Sequence, residues 1–88
     1  MSGPPVLLYA TSWCPYCERA RRLLREKGAT VREIDVDASP KARAEMIARS
    51  RRHTVPQIFV GERHIGGCDD LYALDARGGL ETLLNSGV

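Results

Sequence analysis

A pair of cysteines, Cys14 and Cys17, follows a short apolar run at residues 6–9 and precedes an amphipathic segment. The apolar run is typical of a strand that is buried on both faces. Pro15 suits the first turn of a helix, where no hydrogen bond needs its missing N–H, so Cys14 is predicted at a helix N-terminus. Unpaired N–H groups and the positive end of the helix dipole favour a thiolate there. The cysteines are therefore predicted to form a redox pair, with Cys14 exposed and Cys17 one turn inward, partly shielded.

Length, charge and cysteine count restrict the class of protein. The 88 residues suffice for one domain with a modest core, and 43% hydrophobic residues are typical of a soluble globular chain. No run approaches the roughly 18–20 apolar residues of a membrane span, and no signal peptide is recognisable. Three cysteines form no even set of disulfides, so a reducing cytoplasm is expected.

The formal net charge of +2 is too small to indicate nucleic-acid binding. Several arginines nevertheless cluster along the chain. A solvated face is the favoured interpretation, with an anionic ligand or an acidic partner surface as the alternative. The clustered residues are Arg19, Arg21, Arg22, Arg25, Arg49, Arg51 and Arg52.

The remaining segments predict alternating strands and helices. Strands are expected at residues 6–9, 31–36, 57–60 and 63–65, the last two joined as a hairpin through Gly61-Glu62. Helices are expected at residues 15–27, from Pro40 to about Ser50 behind a Ser39 cap, and from Cys68, with a short closing helix after Gly78-Gly79. This order predicts a small mixed sheet with one parallel crossover and one hairpin, covered by helices.

Three separated motifs occur in a fixed order: the CPYC sequence, Thr54-Val55-Pro56 before the third strand, and residues 66–70 (GGCDD) after the fourth. Together they resemble the glutaredoxins, and most closely the small bacterial dithiol glutaredoxins of the glutaredoxin-three group. The resemblance spans roughly residues 6–84. It implies a single glutaredoxin domain over residues 1–88, with residues 1–5 as a loose lead. The implied fold is α/β, the thioredoxin fold, β-α-β-α-β-β-α with a four-stranded mixed sheet flanked by helices.

The resemblance also implies an activity, a glutathione-dependent thiol–disulfide oxidoreductase that reduces protein disulfides and glutathione mixed disulfides. Cys14 resembles the attacking thiolate, and Cys17 resembles the resolving thiol that protein disulfides require. Glutathione would be a co-substrate, with no cofactor tightly bound and no metal. The implied partners are disulfide-containing or glutathionylated proteins, with ribonucleotide reductase as a family-level candidate, and the protein is expected to be a monomer.

A glutathione site follows from the same resemblance. Pro56 matches the family's cis-proline, although only about 5–6% of X–Pro bonds are cis in general. A cis bond would leave the backbone of Val55 free to pair with the cysteinyl part of glutathione. Gly67, Cys68 and Asp69 match the segment that holds the γ-glutamyl end, where helix N-terminal N–H groups suit a carboxylate. The resemblance adds two more residues to the glutathione site, Tyr16 and Thr54, which flank the Cys14 thiol.

The glycyl carboxylate of glutathione is expected to meet Arg43 on the second helix, a position where the family commonly has Gln or Arg. The family commonly adds a lysine three residues before the first cysteine. This chain has Thr11 there. The departure weakens the expected carboxylate binding and leaves the acidity of Cys14 more dependent on the helix terminus.

Simpler interpretations compete at several residues. The cysteine pair could be half of a zinc site, but Cys68, His53 and His64 show no ligand spacing. Cys68 is expected to be a half-buried helix-start residue, with regulatory oxidation as the alternative. Both histidines are expected to face solvent. Trp13 could either cap the core or contact substrate.

Two other functions remain alternatives. The first is a carrier of an iron–sulfur cluster that glutathione ligates between two protomers, a role better associated with monothiol relatives. Pro15 should stiffen the loop against it. The second is an electron donor reduced by thioredoxin reductase, whose members usually lack a complete glutathione site.

Overall fold

Strands and helices alternate along residues 4–85, the part of the chain that the computed structural model describes. The strands are β1 (Val6–Ala10), β2 (Val31–Asp35), β3 (Gln57–Val60) and β4 (Arg63–Gly66). The helices are α1 (Pro15–Glu26), α2 (Pro40–Ser50), α3 (Cys68–Ala76) and α4 (Gly79–Asn85). This order confirms the predicted β-α-β-α-β-β-α arrangement, and α4 is the short closing helix expected after Gly78-Gly79.

The strands form one mixed sheet in the order β2-β1-β3-β4. β1 runs parallel to β2, with Val6 opposite Val31, and antiparallel to β3, with Val6 opposite Val60. β3 and β4 form the predicted hairpin, whose turn includes Gly61 at a φ of 60°. The parallel pair of β1 and β2 and the hairpin of β3 and β4 therefore meet at the centre of the sheet, where β1 pairs with β3.

Each face of the sheet carries its own hydrophobic cluster. One cluster packs β1 and β3 against α1, α3 and α4, and includes Leu8, Leu24 and Leu71. The other packs the opposite face against α2 and includes Tyr9 and Met46. Because Leu8 and Tyr9 are adjacent and both fully buried, β1 is covered on both sides, as its apolar sequence predicted.

The helix boundaries follow from local capping. Ser39 is the N-cap of α2, and its side chain accepts a hydrogen bond from the N–H of Ala42 at 3.1 Å. α1 ends one residue before its predicted end, with Lys27 as its C-cap, and Gly28 follows at a φ of 74°. β2 ends at Asp35 instead of Val36, because the Asp35 carboxylate accepts the N–H of Asp37 and turns the chain.

The predicted loose lead falls largely on residues 1–3, which lie outside the described residues. At the end of the predicted lead, the carbonyl oxygen of Pro5 accepts a hydrogen bond from the N–H of Gly61 at 2.8 Å. Pro5 is therefore already tied to the β3–β4 hairpin. Within residues 4–85, none of the helices has the length and apolar character needed to cross a membrane.

Candidate active site

Cys14 is the N-cap of α1, as predicted, with extended backbone angles of −130° and 108°. Its Sγ accepts a hydrogen bond from the backbone N–H of Cys17 at 3.2 Å. The thiol also lies 3.9 Å from the carbonyl oxygen of Val55, on the loop before β3. Cys14 is half-buried, where full exposure was expected, and Val55 packs beside it. The sulfur therefore sits at a helix N-terminus that can stabilise negative charge on it.

Cys17 is fully buried, beyond the partial shielding that was predicted. It belongs to the hydrophobic cluster between the sheet and α1. Burial, followed by the hydrogen bond with Cys14, raises the pKa of Cys17 to about 12. A buried and weakly acidic thiol is a poor attacker of a substrate in solution. The two thiols thus differ in access, and only Cys14 reaches the surface.

A groove beside Cys14 contains five of the residues that were predicted to bind glutathione. Its volume is about 120 Å³, and its lining residues are Tyr16, Val55, Pro56, Cys68 and Asp69. The Val55–Pro56 peptide bond is cis, as predicted. Cys68 is almost fully buried, more than the half-burial expected, and this burial raises its pKa. Cys68 therefore forms part of the wall while its thiol is held protonated.

The start of α3 closes one side of this groove. A Cβ added to Gly67 would lie 3.4 Å from the carbonyl oxygen of Pro56, so the two segments approach closely where Gly67 stands. The N–H of Gly67 donates to the Asp70 carboxylate at 2.9 Å, and that carboxylate also receives Arg52 at 2.9 Å. Asp70 is thereby engaged as a cap. Asp69 is exposed and lines the groove, which distinguishes the two neighbouring acids.

Three of the predicted residues lie outside the groove lining: Gly67, described above, Thr54 and Arg43. Thr54 is exposed and immediately precedes Val55, and its carbonyl accepts a hydrogen bond from the buried side chain of Gln57 at 3.0 Å. Arg43 lies on α2 with its guanidinium 2.7 Å from the Asp37 carboxylate. The structure does not bring Arg43 into contact with the groove described above.

Two residues that sequence reasoning did not assign support the loop before the cis-proline. Gln57 is buried, and its Oε1 lies 2.8 Å from Nε2 of His64 while its Nε2 donates to Thr54. His64 is half-buried and packs on Phe59 with a centroid separation of 4.8 Å, so it is more sheltered than the solvent-facing position that was predicted. Burial, with a smaller effect of Arg52, lowers the pKa of His64. The signal in the sequence was a polar residue, Gln57, within an otherwise apolar buried strand.

Trp13 lies on the other side of Cys14. It is 95% exposed, so the interpretation that it caps the core is wrong. With Ser12, Pro15 and Glu18 it lines a shallow depression of about 340 Å³ that also includes Cys14. The nucleophile candidate thus lies between a groove that carries the predicted glutathione residues and an open surface with an exposed tryptophan.

Between residues 4 and 85, no three His, Cys, Asp or Glu side chains come together in a group that could hold a metal ion. His53 is exposed, as predicted.

The chain is similar to known glutaredoxins in both sequence and structure. The glutaredoxin family model matches residues 6–65. Glutaredoxin 3 of Escherichia coli K12 is 58% identical over 79 residues, which cover 90% of this chain and 95% of that protein. A glutaredoxin of Pseudomonas aeruginosa is 52% identical over 83 residues, covering 94% of this chain and 99% of that protein.

Solved structures give the same result for the fold. The solution structure of a glutaredoxin from Brucella melitensis has a TM-score of 0.85 at 53% identity and covers 100% of this chain and 96% of its own. A buckwheat glutaredoxin crystallised with glutathione has a TM-score of 0.87 at 29% identity, over 94% of this chain and 78% of its own. The protein therefore has the thioredoxin fold and belongs to the glutaredoxin family of glutathione-dependent thiol–disulfide oxidoreductases.

Proposed function

We propose that this chain reduces disulfides with Cys14 as the nucleophile, Cys17 as the resolving thiol and glutathione as the co-substrate. The observation that carries the proposal is the inequality of the two thiols. The Cys14 sulfur is accessible and accepts a hydrogen bond from the N–H of Cys17 at 3.2 Å, whereas the Cys17 thiol is fully buried. A hydrogen bond from an N–H to sulfur favours the thiolate, which is the attacking species.

The first branch of the reaction needs Cys14 alone. Its thiolate attacks the glutathione sulfur of a protein–glutathione mixed disulfide, forms a Cys14–glutathione disulfide and releases the protein thiolate. A second glutathione thiolate then attacks the glutathione sulfur of that disulfide, which releases Cys14 and forms glutathione disulfide. In the net reaction one free glutathione is consumed: the protein is released as a thiol, both glutathione moieties end in glutathione disulfide, and the enzyme is unchanged.

The second branch uses both cysteines. Cys14 attacks a protein disulfide and is left in a mixed disulfide with the substrate. The Cys17 thiolate attacks the Cys14 sulfur, forms the Cys14–Cys17 disulfide and releases the fully reduced substrate. Two glutathione molecules then reduce the enzyme. Because Cys17 is buried, its attack is confined to the sulfur one helical turn away.

Glutathione is proposed to occupy the groove lined by Tyr16, Val55, Pro56, Cys68 and Asp69. The backbone of Val55 would pair with the cysteinyl part. The N–H groups of Cys68 and Asp69 lie in the first turn of α3, where helix geometry provides no acceptor, so they suit the γ-glutamyl carboxylate. The Asp69 carboxylate would meet the ammonium group.

Three further assignments belong to the same proposal. Gly67 stands close to Pro56 and Thr54 directly precedes Val55, so both would offer backbone groups next to the groove. Arg43 would need to leave Asp37 to reach a glycyl carboxylate. Protein disulfides would approach from the side of Trp13, which contributes apolar surface beside Cys14. The working state would be a monomer in a reducing cytoplasm.

A coupled assay tests the proposal. Reduction of hydroxyethyl disulfide is followed with glutathione, glutathione reductase and NADPH for the wild type, Cys17→Ser and Cys14→Ser. Turnover in the wild type and Cys17→Ser, with none in Cys14→Ser, is expected. Equal loss in both variants would show that the two roles are misassigned. A wild type that turns over only with thioredoxin reductase would show that the glutathione site is degenerate.

A further inference from the structure

Arg21, whose side chain is largely buried, joins the loop at Thr11 to the helix that carries both cysteines. Arg21 lies on α1, one turn after Cys17, and its Nη2 donates to the carbonyl oxygen of Thr11 at 3.2 Å. Because Arg21 follows Cys17 by four residues on α1, the two side chains are neighbours on the helix surface. Arg21 therefore lies beside the residue with the buried sulfur and is tied to the loop that leads into Cys14.

Two carboxylates fix the Arg21 guanidinium in place. Glu33 on β2 accepts from Nε and Nη2, both at 2.7 Å, in the two-point geometry typical of a strong Arg–carboxylate pair. Glu18 accepts from Nη1 at 3.0 Å. With these contacts and Thr11, the arginine bridges α1, β2 and the loop before Cys14, and its orientation is set from three sides.

The cation is better shielded from water than its partners. The Arg21 side chain is 18% exposed, against 37% for Glu33 and 53% for Glu18. Solvent screens the two carboxylates more strongly than the guanidinium. Toward the protein interior, the positive field of Arg21 is therefore stronger than the negative fields of Glu33 and Glu18. The inward neighbour is Cys17, on which the charge of Arg21 acts in the direction of the thiolate.

The importance of Arg21 changes during the reaction. In the free dithiol, Cys17 is surrounded by the apolar core, lies one turn from Cys14 and has Arg21 one turn beyond it on α1. Once Cys14 is captured in a mixed disulfide, its sulfur carries neither a proton nor a charge. Both of its contributions then disappear. Among those influences, Arg21 is the charged side chain that remains when Cys17 must become a nucleophile.

We propose that Arg21 is a positioning residue for the resolving step: held by Glu33, it stabilises the developing Cys17 thiolate from the neighbouring turn of α1. This inference rests on the proposed role of Cys17. It concerns the dithiol branch and leaves the Cys14-only branch unaffected. In the balanced step, the Cys17 proton leaves to solvent, the Cys17–Cys14 S–S bond forms, and the substrate thiolate departs with the electron pair of the broken S–S bond.

The test compares two substitutions that a structural role and an electrostatic role predict differently. Arg21→Gln removes the charge, so closure should slow. Glu33→Gln keeps the shape and one acceptor but removes the compensating negative charge, so closure should accelerate. If the ion pair only braced α1 against β2, both substitutions would loosen the brace and change the rate in the same direction.

Closure is measured in a single turnover by stopped flow. The full chain is loaded at Cys14 with thionitrobenzoate, and attack by Cys17 releases the coloured thiolate. A tenfold lower thiolate fraction slows closure only about threefold, because intrinsic nucleophilicity rises with basicity. We therefore expect closure near neutral pH to be roughly threefold slower in Arg21→Gln and faster by up to about threefold in Glu33→Gln. Arg21→Lys, which retains the charge, should recover most of the rate.

Slower closure in both variants, or no change in Arg21→Gln, would overturn the proposal. Thermal unfolding of each variant identifies any that fails to fold. In that case Arg21→Lys, which keeps the charge, provides the comparison. Loss of closure in folded Arg21→Lys would also refute the electrostatic role. The wild type separates this inference from the proposed function. A wild type that does not close would remove the resolving role of Cys17, whereas a wild type that closes with unresponsive variants would remove only the role of Arg21.

Discussion

The backbone N–H of Cys17 donates to the Sγ of Cys14 at 3.2 Å, while the thiol of Cys17 points into the core and is fully buried. One helical turn therefore gives a single residue two roles: its amide stabilises charge on the outer sulfur, and its side chain is held out of reach of solvent. The chemical difference between two identical side chains thus arises from their positions at the start of α1.

This difference predicts different pH dependences for the two branches. Burial is the largest cause of the raised pKa of Cys17 and persists when Cys14 is in a mixed disulfide, so the Cys17 thiolate fraction should grow about tenfold per pH unit across the range in which the enzyme works. Closure onto Cys14 should rise steadily between about pH 6 and pH 9. Single-turnover closure in the wild type measures this branch, with deglutathionylation by Cys17→Ser as the control. A closure rate that levels off near neutral pH would contradict the burial of Cys17.

The neighbouring acids Asp69 and Asp70 predict a second separation. Asp70 accepts from Gly67 and pairs with Arg52, which together lower its pKa, so Asp70→Ala should reduce the free energy of unfolding by about 1 kcal/mol. A lowered carboxyl pKa contributes stability above the unfolded value and loses it as the pH falls. The deficit should therefore be present at neutral pH and shrink below about pH 4.

Asp69→Ala is the matched control for this prediction. It should change stability less and instead raise KM for a glutathionylated peptide, because Asp69 lines the groove and is proposed to meet the ammonium group. Urea unfolding and steady-state kinetics on both variants measure the two effects. A larger stability loss for Asp69→Ala than for Asp70→Ala would contradict the assignment.

The hydrogen bonds of Gln57 predict coupling behind the groove. Gln57→Leu removes the donor to Thr54 and the partner of His64, and should lower the free energy of unfolding by about 1–2 kcal/mol. His64→Phe keeps the stacking on Phe59 but loses the same hydrogen bond to Gln57. Urea unfolding of both single variants and the double variant should show a combined loss smaller than the sum by about 0.5 kcal/mol or more. Simple additivity would indicate that the two side chains act independently.

Exposure of Trp13 predicts an effect on substrates and little effect on folding. Because its side chain is 95% exposed, Trp13→Ala should change the free energy of unfolding by no more than about 0.5 kcal/mol. Its kcat/KM for a protein disulfide should fall several-fold more than its activity on hydroxyethyl disulfide, since only the larger substrate reaches the surface beside Cys14. Trp13→Phe should retain most of the protein-disulfide activity. Equal losses on both substrates would place Trp13 in the chemistry at Cys14 instead.

The elements that sequence predicted well are those with local causes. The starts of α1 and α2 follow from Cys14-Pro15 and Ser39-Pro40, since capping and the proline preference depend on a few adjacent residues. The groove residues came from the resemblance to glutaredoxins, which brought together positions that are far apart in the sequence. Neither source of information required knowledge of packing.

The differences between prediction and structure lie where distant segments meet. Cys17 is fully buried because the core closes over it, and His64 is sheltered by Phe59 and bound to Gln57 across the β3–β4 hairpin. The pairing of Arg21 with Glu33 depends on β2 lying beside β1 in the sheet, and no periodic pattern in the sequence links the two residues. Such contacts follow from the tertiary arrangement alone.

Trapping of the glutathionylated intermediate tests the central claim most directly. Cys17→Ser is mixed with a glutathionylated peptide in the absence of free glutathione, and the protein is analysed by intact mass and peptide mapping. We predict one glutathione adduct, on Cys14, with Cys68 unmodified at early times because its buried thiol has a raised pKa. An adduct that forms first on Cys68, or no adduct while the peptide stays glutathionylated, would contradict the assignment of Cys14 as the nucleophile.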